Sequence, residues 1–169
     1  MQNAKEFQDQ LASNLKNHFS KVEKEWSISK DATDDFSRSI KRYAPRLDIA
    51  VGPFSIETGN IRNPIERTFH KEVPSKLRQI LEQLGRNPNP RCALAIEIVF
   101  SGSSKHILGD ITNASMMGLY GIVIADQGIE PKIRRIFEYV KTIRKLDKAP
   151  SELFTNVIIL PSKKILELL

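Results

Sequence analysis

The run Cys92-Ala93-Leu94-Ala95-Ile96-Glu97-Ile98-Val99-Phe100 constrains this chain more than any other segment. Side chains of a strand point alternately to its two faces, and here both faces are apolar except at Glu97. Such a strand has to be covered on both sides, which predicts a central position in a sheet flanked by helices. The Asn87-Pro88-Asn89-Pro90 turn before it and Ser101-Gly102-Ser103-Ser104 after it bound the element with turn and cap chemistry.

The chain beyond this strand extends the pattern. Ile107, Leu108, Ile111, Ala114, Ser115 and Gly118 form a helical face that narrows to small residues, fit for close packing on a sheet. Gly121 is read as the turn into a strand Ile122-Val123-Ile124-Ala125, and the helical crossover between the two strands predicts parallel neighbours. A basic helix with Ile133, Ile136, Phe137, Val140 and Ile143 inside leads to a strand Val157-Ile158-Ile159-Leu160, and the tail from Ser162 to Leu169 reads as a last helical turn or two.

Upstream, Phe7, Leu11, Leu15, Phe19, Val22 and Trp26 fall in steps of three and four, which predicts one long amphipathic helix from Phe7 to Trp26. Ser27 to Tyr43 is rich in cap and turn formers and reads as loop with a short helix. Arg46-Leu47-Asp48-Ile49-Ala50-Val51 alternates as a strand, Gly52-Pro53 bends it, and Phe54-Ser55-Ile56-Glu57 is a candidate second strand before irregular chain around Asn63-Pro64. Val73, Leu77, Ile80, Leu81 and Leu84 predict a short helix, with Gly85 placed for a left-handed cap. The expected architecture is one α/β domain over residues 1–169, a mixed sheet flanked by helices with parallel βαβ units in its C-terminal half.

Composition excludes several classes. With 169 residues and 27% charged content the chain is ordinary for a folded domain. No apolar run approaches a membrane span, and no apolar segment follows the start, so a cytoplasmic protein without membrane partners is expected. The single cysteine, Cys92, forms no intrachain disulfide and reads as a small buried hydrophobe. Lys and Arg outnumber Asp and Glu by 26 to 20, a modest excess that favours phosphate-bearing partners; part of it is concentrated between Glu130 and Lys148, which reads as a solvated helix surface ahead of a nucleic-acid track.

Glu97 is the most informative residue, because an ionised carboxylate inside an apolar strand is costly unless a cation or hydrogen bonds compensate it. Asp48 is the second of this kind, and each has a small same-face neighbour two positions away, Ala50 and Ala95. Two carboxylates on neighbouring strands are ordinary oxygen ligands for Mg²⁺ or Mn²⁺. The competing reading pairs Glu97 with a buried Arg or Lys and lets Asp48 cap a turn near Arg46.

Taken in order, Pro45-Arg46-Leu47-Asp48, the strand Ala95-Ile96-Glu97-Ile98-Val99, then helix and strand resemble the PD-(D/E)XK, restriction-endonuclease-like nuclease superfamily. The stretch from Ser103 to Ser115 also resembles the helix that follows the acidic strand in some members. The resemblance implies a metal-dependent nuclease, an endonuclease hydrolysing phosphodiester bonds in nucleic acid. It implies DNA as partner, allows a homodimer, and implies Mg²⁺ or Mn²⁺ as cofactor with Asp48 and Glu97 as metal ligands. The superfamily's lysine falls two positions after the acidic residue, where this chain has Val99. In some members that lysine has migrated to the next helix, which makes Lys105 the substitute third catalytic residue. Glu23 and Glu25 on the first helix, Glu57 on a neighbouring strand and His106 are secondary candidates. Ser103 and Ser104 are candidates for phosphate binding at a helix N-terminus.

Two further classes compete. A nuclease fold that has lost its chemistry can serve nucleic-acid or protein binding. A nucleotide-binding domain using the Ser101–Lys105 loop lacks both G-x-x-x-x-G-K-[ST] and G-x-G-x-x-G, and Phe100-Ser101-Gly102 lacks the nucleophile elbow of a serine hydrolase.

Overall fold

A computed structural model describes residues 3–27, 45–54 and 62–169. Among these residues the chain forms a mixed five-stranded sheet with six helices. The strands are β1 (Val22–Ser27), β2 (Arg46–Val51), β3 (Cys92–Val99), β4 (Gly118–Ala125) and β5 (Val157–Pro161), hydrogen-bonded in chain order. β1, β2 and β3 are antiparallel neighbours, whereas β3, β4 and β5 are parallel. The helices are α1 (Ala4–Lys16), α2 (Arg62–Glu72), α3 (Ser75–Leu81), α4 (Ser104–Met117), α5 (Glu130–Lys145) and α6 (Ser162–Leu168). None of them is long and apolar enough to cross a membrane.

β3 is covered on both faces, as its composition demands. Leu94 and Ile96 join Ile49, Val51, Ile122 and Ile124 in a core under Phe7, Leu11 and Leu15 of α1, Phe69 of α2, Leu77 of α3 and Ile165 of α6. On the other face Val99, Val123 and Ile159 pack against Ile107, Ile111 and Ala114 of α4 and Ile133 and Val140 of α5. The small side chains Ala50 and Ala95 fall in a third cluster with Trp26, Leu47, Cys92 and Met117. Each parallel pair is joined by a helix on this second face, so α4 lies directly over the side of β3 that carries Glu97.

Several expectations are corrected. The first helix stops at Lys16, and Val22–Ser27 is a strand. The spacing misleads there because a step of four, Val22 to Trp26, also fits a strand of period two. Glu23 and Glu25 therefore sit on β1, not on a helix. Arg62–Glu72 is helical despite Asn63-Pro64, since proline is tolerated in a first turn. Gly121 lies within β4, and a Cβ there would stand 2.8 Å from the Ala114 carbonyl, so it serves close helix packing instead of a turn. Gly85 is likewise no left-handed cap: α3 is capped at Glu82, and a Cβ on Gly85 would meet Thr155 Oγ1 at 2.5 Å. The loop expected over 28–43 and the strand expected through Glu57 lie outside the described residues.

Candidate metal centre

The ladder between β2 and β3 pairs Val51 with Leu94, Ala50 with Ala95 and Ile49 with Ile96. One step further along the same register stand Asp48 and Glu97, and there side chains take over from the backbone ladder. The Asp48 N–H donates to Glu97 Oε2 at 3.2 Å, and the Ile98 N–H donates to Asp48 Oδ2 at 2.7 Å. Each carboxylate is thus braced by a main-chain donor of the opposite strand. On β1, Lys24 pairs with Ile49 and Trp26 with Leu47, which sets Glu25 level with Asp48.

Glu25 adopts φ +51°, a left-handed conformation that costs a non-glycine residue about 1–3 kcal/mol. Its carboxylate is fully engaged: Gln8 Nε2 donates to Oε1 at 2.9 Å, and Arg46 Nε pairs with Oε2 at 2.9 Å. The same Gln8 amide donates to the Asp48 carbonyl at 2.8 Å, so α1 ties β1 and β2 together at the level of the carboxylates. A groove of about 570 Å³ opens in front of Asp48, with Lys5, Lys24 and Arg46 at its walls. The cleft of about 500 Å³ between α5 and β5, which holds Arg134, Lys141 and Arg144, shares no residue with it.

Glu97 is 3% exposed, and its Oε1 has no hydrogen-bond partner. Burial, then the neighbouring Asp48 charge, push its carboxyl up to about 9, against the opposing pull of the Asp48 N–H and the Asn113 amide. Asp48 is also raised, first by burial and then by Glu25, while the Ile98 N–H acts against the shift. Asp110 on α4 is raised to about 6 by burial and by the Asp48 charge, with His106 opposing. Among the described residues no Lys or Arg forms an ion pair with Asp48, Glu97 or Asp110. The alternative in which Glu97 is neutralised by a buried base has no support among them, and Arg46 is committed to Glu25.

The donor set suits a hard divalent cation. Two carboxyl groups converge, one with an orphaned buried oxygen, and burial beside Asp48 keeps Glu97 protonated near neutral pH in the metal-free fold. Mg²⁺ and Mn²⁺ are often held by one or two carboxylates while keeping several waters. No three His, Cys, Asp or Glu side chains among the described residues form a complete ligand set, so Asp48 and Glu97 would hold the ion with water at the remaining positions.

The other residues singled out in the sequence form no hydrogen bond or ion pair with Asp48 or Glu97 among the described residues. Lys105 is exposed on the first turn of α4. Ser103 is the N-cap of α4: its Oγ accepts from the His106 N–H at 3.3 Å and lies 3.2 Å from His106 Nδ1. Ser104 and His106 are exposed. Glu23 is exposed on β1 opposite Ala50, and Glu57 lies outside the described residues. Asp110, Asn113 and Gln8 are not anticipated from the sequence. A signal for Asp110 exists, since it stands at the i+3 position from Ile107 at the edge of the buried stripe of α4.

No known protein family matches the chain, and neither a curated protein nor a solved structure does.

Proposed function

We propose that this chain is a restriction-endonuclease-like, metal-dependent nuclease that hydrolyses phosphodiester bonds in nucleic acid, with Asp48 and Glu97 as the residues that hold Mg²⁺ or Mn²⁺. The observation that carries the proposal is the cross-braced carboxylate pair at the end of the β2–β3 ladder, with Glu97 Oε1 buried and unpartnered. Burying two acids side by side without a counter-charge destabilises a fold, and a recruited cation would offset that cost. When bound, a divalent ion lowers the pKa of its water and stabilises charge on the reacting phosphate.

The chain's own residues supply the rest. The Asp48 and Ile98 N–H groups fix the orientation of the two carboxylates, and Gln8 and Glu25 hold β1 against β2 at that level. Lys5, Lys24 and Arg46 line the groove in front of Asp48 together with Asp9 and Glu25, and among the described residues Lys5 is the basic group there that forms no ion pair with either acid. Lys24 and Arg46 are paired with Asp9 and Glu25.

A second reading is favoured by one observation. Val99 occupies the superfamily's lysine position and Lys105 is exposed on the first turn of α4, which is compatible with a nuclease fold that binds nucleic acid or protein without cleaving. Incubating plasmid, single-stranded DNA and RNA with the protein plus Mg²⁺, Mn²⁺ or chelator separates the two. Cleavage that needs metal and is lost in Asp48→Ala and Glu97→Gln supports the nuclease. Metal-independent binding of the same nucleic acids with no cleavage supports the second reading.

A further inference from the structure

We infer that α4 contributes a third carboxylate, Asp110, to the cation site, acting with the Asn113 amide on water held by the ion. The inference rests on the reading of Asp48 and Glu97 as cation ligands.

Residues 107, 110, 111 and 114 of a helix share one face, at spacings of three and four. In α4 that face is the one laid on the sheet: Ile107, Ile111 and Ala114 are 0% exposed. Asp110 is the acidic member of this inner stripe and the sole acidic residue of α4. Asp110 is half-buried at the edge of this stripe, on a helix packed against the face of β3 that carries Glu97. The Asp48 charge acts on Asp110, the Asp110 charge acts on Glu97, and Asn113, one turn further on, acts on Glu97 as well.

Asp110 has no ion-pair partner among the described residues. His106, one turn earlier, is the basic group that acts on it, and the Nδ1 of that imidazole is turned toward Ser103. The unpartnered Oε1 of Glu97, on a residue only 3% exposed, is the independent sign that the cluster is organised around a missing positive partner. Three acids converge on this spot from β2, β3 and α4, yet they do not form a complete ligand set. A hydrated ion reconciles these facts: two carboxylates bind it directly, and an acceptor and an amide on α4 take hydrogen bonds from its water. In this arrangement the third functional position is an acceptor that orients water, not a donor that neutralises phosphate.

The test is calorimetric titration of Mn²⁺ alone into the full chain, with water-proton relaxation of the bound Mn²⁺ as a second readout. Asp110→Asn is expected to weaken Mn²⁺ binding about tenfold, equivalent to about 1.4 kcal/mol, and to change the relaxation of the bound water. Asp110→Glu should restore most of the affinity, and Glu167→Gln, which removes the same charge from α6, should bind as wild type. If Asp110→Asn does not fold, Asp110→Ser carries the same expectation. Wild-type affinity and relaxation in a folded Asp110 variant would overturn the inference while leaving the Asp48–Glu97 pair intact. No Mn²⁺ binding by the wild-type chain would instead remove the pair itself, and Asp110 with it.

Discussion

Replacing Glu97 by Gln should make the metal-free protein less sensitive to pH and more stable at neutral and alkaline pH. The cause is the raised carboxyl of Glu97, near 9 in the fold against an ordinary value of 4.5. Between those two values the native chain holds a proton that the unfolded chain has released. Unfolding therefore becomes easier as pH rises through this window, by up to about 1.4 kcal/mol per pH unit. The stability is fully present below about pH 4.5, declines through the window and levels off above about pH 9. Asp110, raised to about 6, contributes a loss of the same sign between its ordinary value of 3.8 and pH 6.

The cleanest interval is consequently from about pH 6.5 to 8, where Glu97 alone of the two is still shedding its excess proton. Over that 1.5-unit span the wild type should lose roughly 2 kcal/mol relative to Glu97→Gln. In urea unfolding of a chain this size the difference is about a 1 M shift of midpoint. The amide preserves shape and can accept the Asp48 N–H, so it does not titrate yet fills the same space. The three histidines are present in both proteins and cancel in the comparison. Measured in chelator, parallel pH profiles for the two proteins would refute the reasoning. Added Mg²⁺ should flatten the wild-type profile and leave that of Glu97→Gln unchanged.

The packing sets three other outcomes. Asn156→Ala should cost about 3 kcal/mol in denaturant unfolding, because its buried amide donates to the Ser115, Gly118 and Leu119 carbonyls and its Oδ1 accepts from Ser115 Oγ, joining α4 and β4 to the start of β5. Gly121→Ala should lower the melting temperature by about 4–8 °C, since the new methyl meets the Ala114 carbonyl at 2.8 Å and its Cβ at 3.0 Å. Cys92 is fully buried with its thiol pushed up by burial, so a disulfide reagent should label it only as the protein unfolds; rapid labelling under native conditions would contradict that placement.

The C-terminal half is legible in the sequence because each element there has one unambiguous period. β3 is apolar on both faces, β4 and β5 repeat that pattern, and α5 carries its apolar residues at helical spacing between them. The N-terminal half is harder where a spacing fits two structures. Phe19, Val22 and Trp26 continue the rhythm of α1, yet the helix ends at Lys16 and Val22 and Trp26 belong to β1. Asn63-Pro64 reads as loop although proline fits a first helical turn.

Asp48 and Glu97 stand out because carboxylates in apolar strands have few inexpensive explanations, and their mutual bracing arises from the register that pairs Ile49 with Ile96. Asp110 escapes a sequence reading for a specific reason. Leu108 lies about 100° around the helix from Ile107, on the side away from Asp110, so including it draws the apolar face away from Asp110, and Leu108 is in fact 42% exposed. With the stripe drawn through Ile107, Ile111 and Ala114, Asp110 falls at its edge. Gln8 has no comparable signal, since its role depends on where α1 crosses β1 and β2.

The most direct test of the central claim is titration of Mn²⁺ into the wild-type chain near pH 7.5 in two buffers of different ionisation enthalpy. The expected result is one bound ion with release of about one proton, because the ion takes the place of the proton that Glu97 holds in the metal-free fold, and no such binding in Glu97→Gln. Binding of unchanged affinity in Glu97→Gln, or none in the wild type, would contradict the assignment of Asp48 and Glu97 as a cation site.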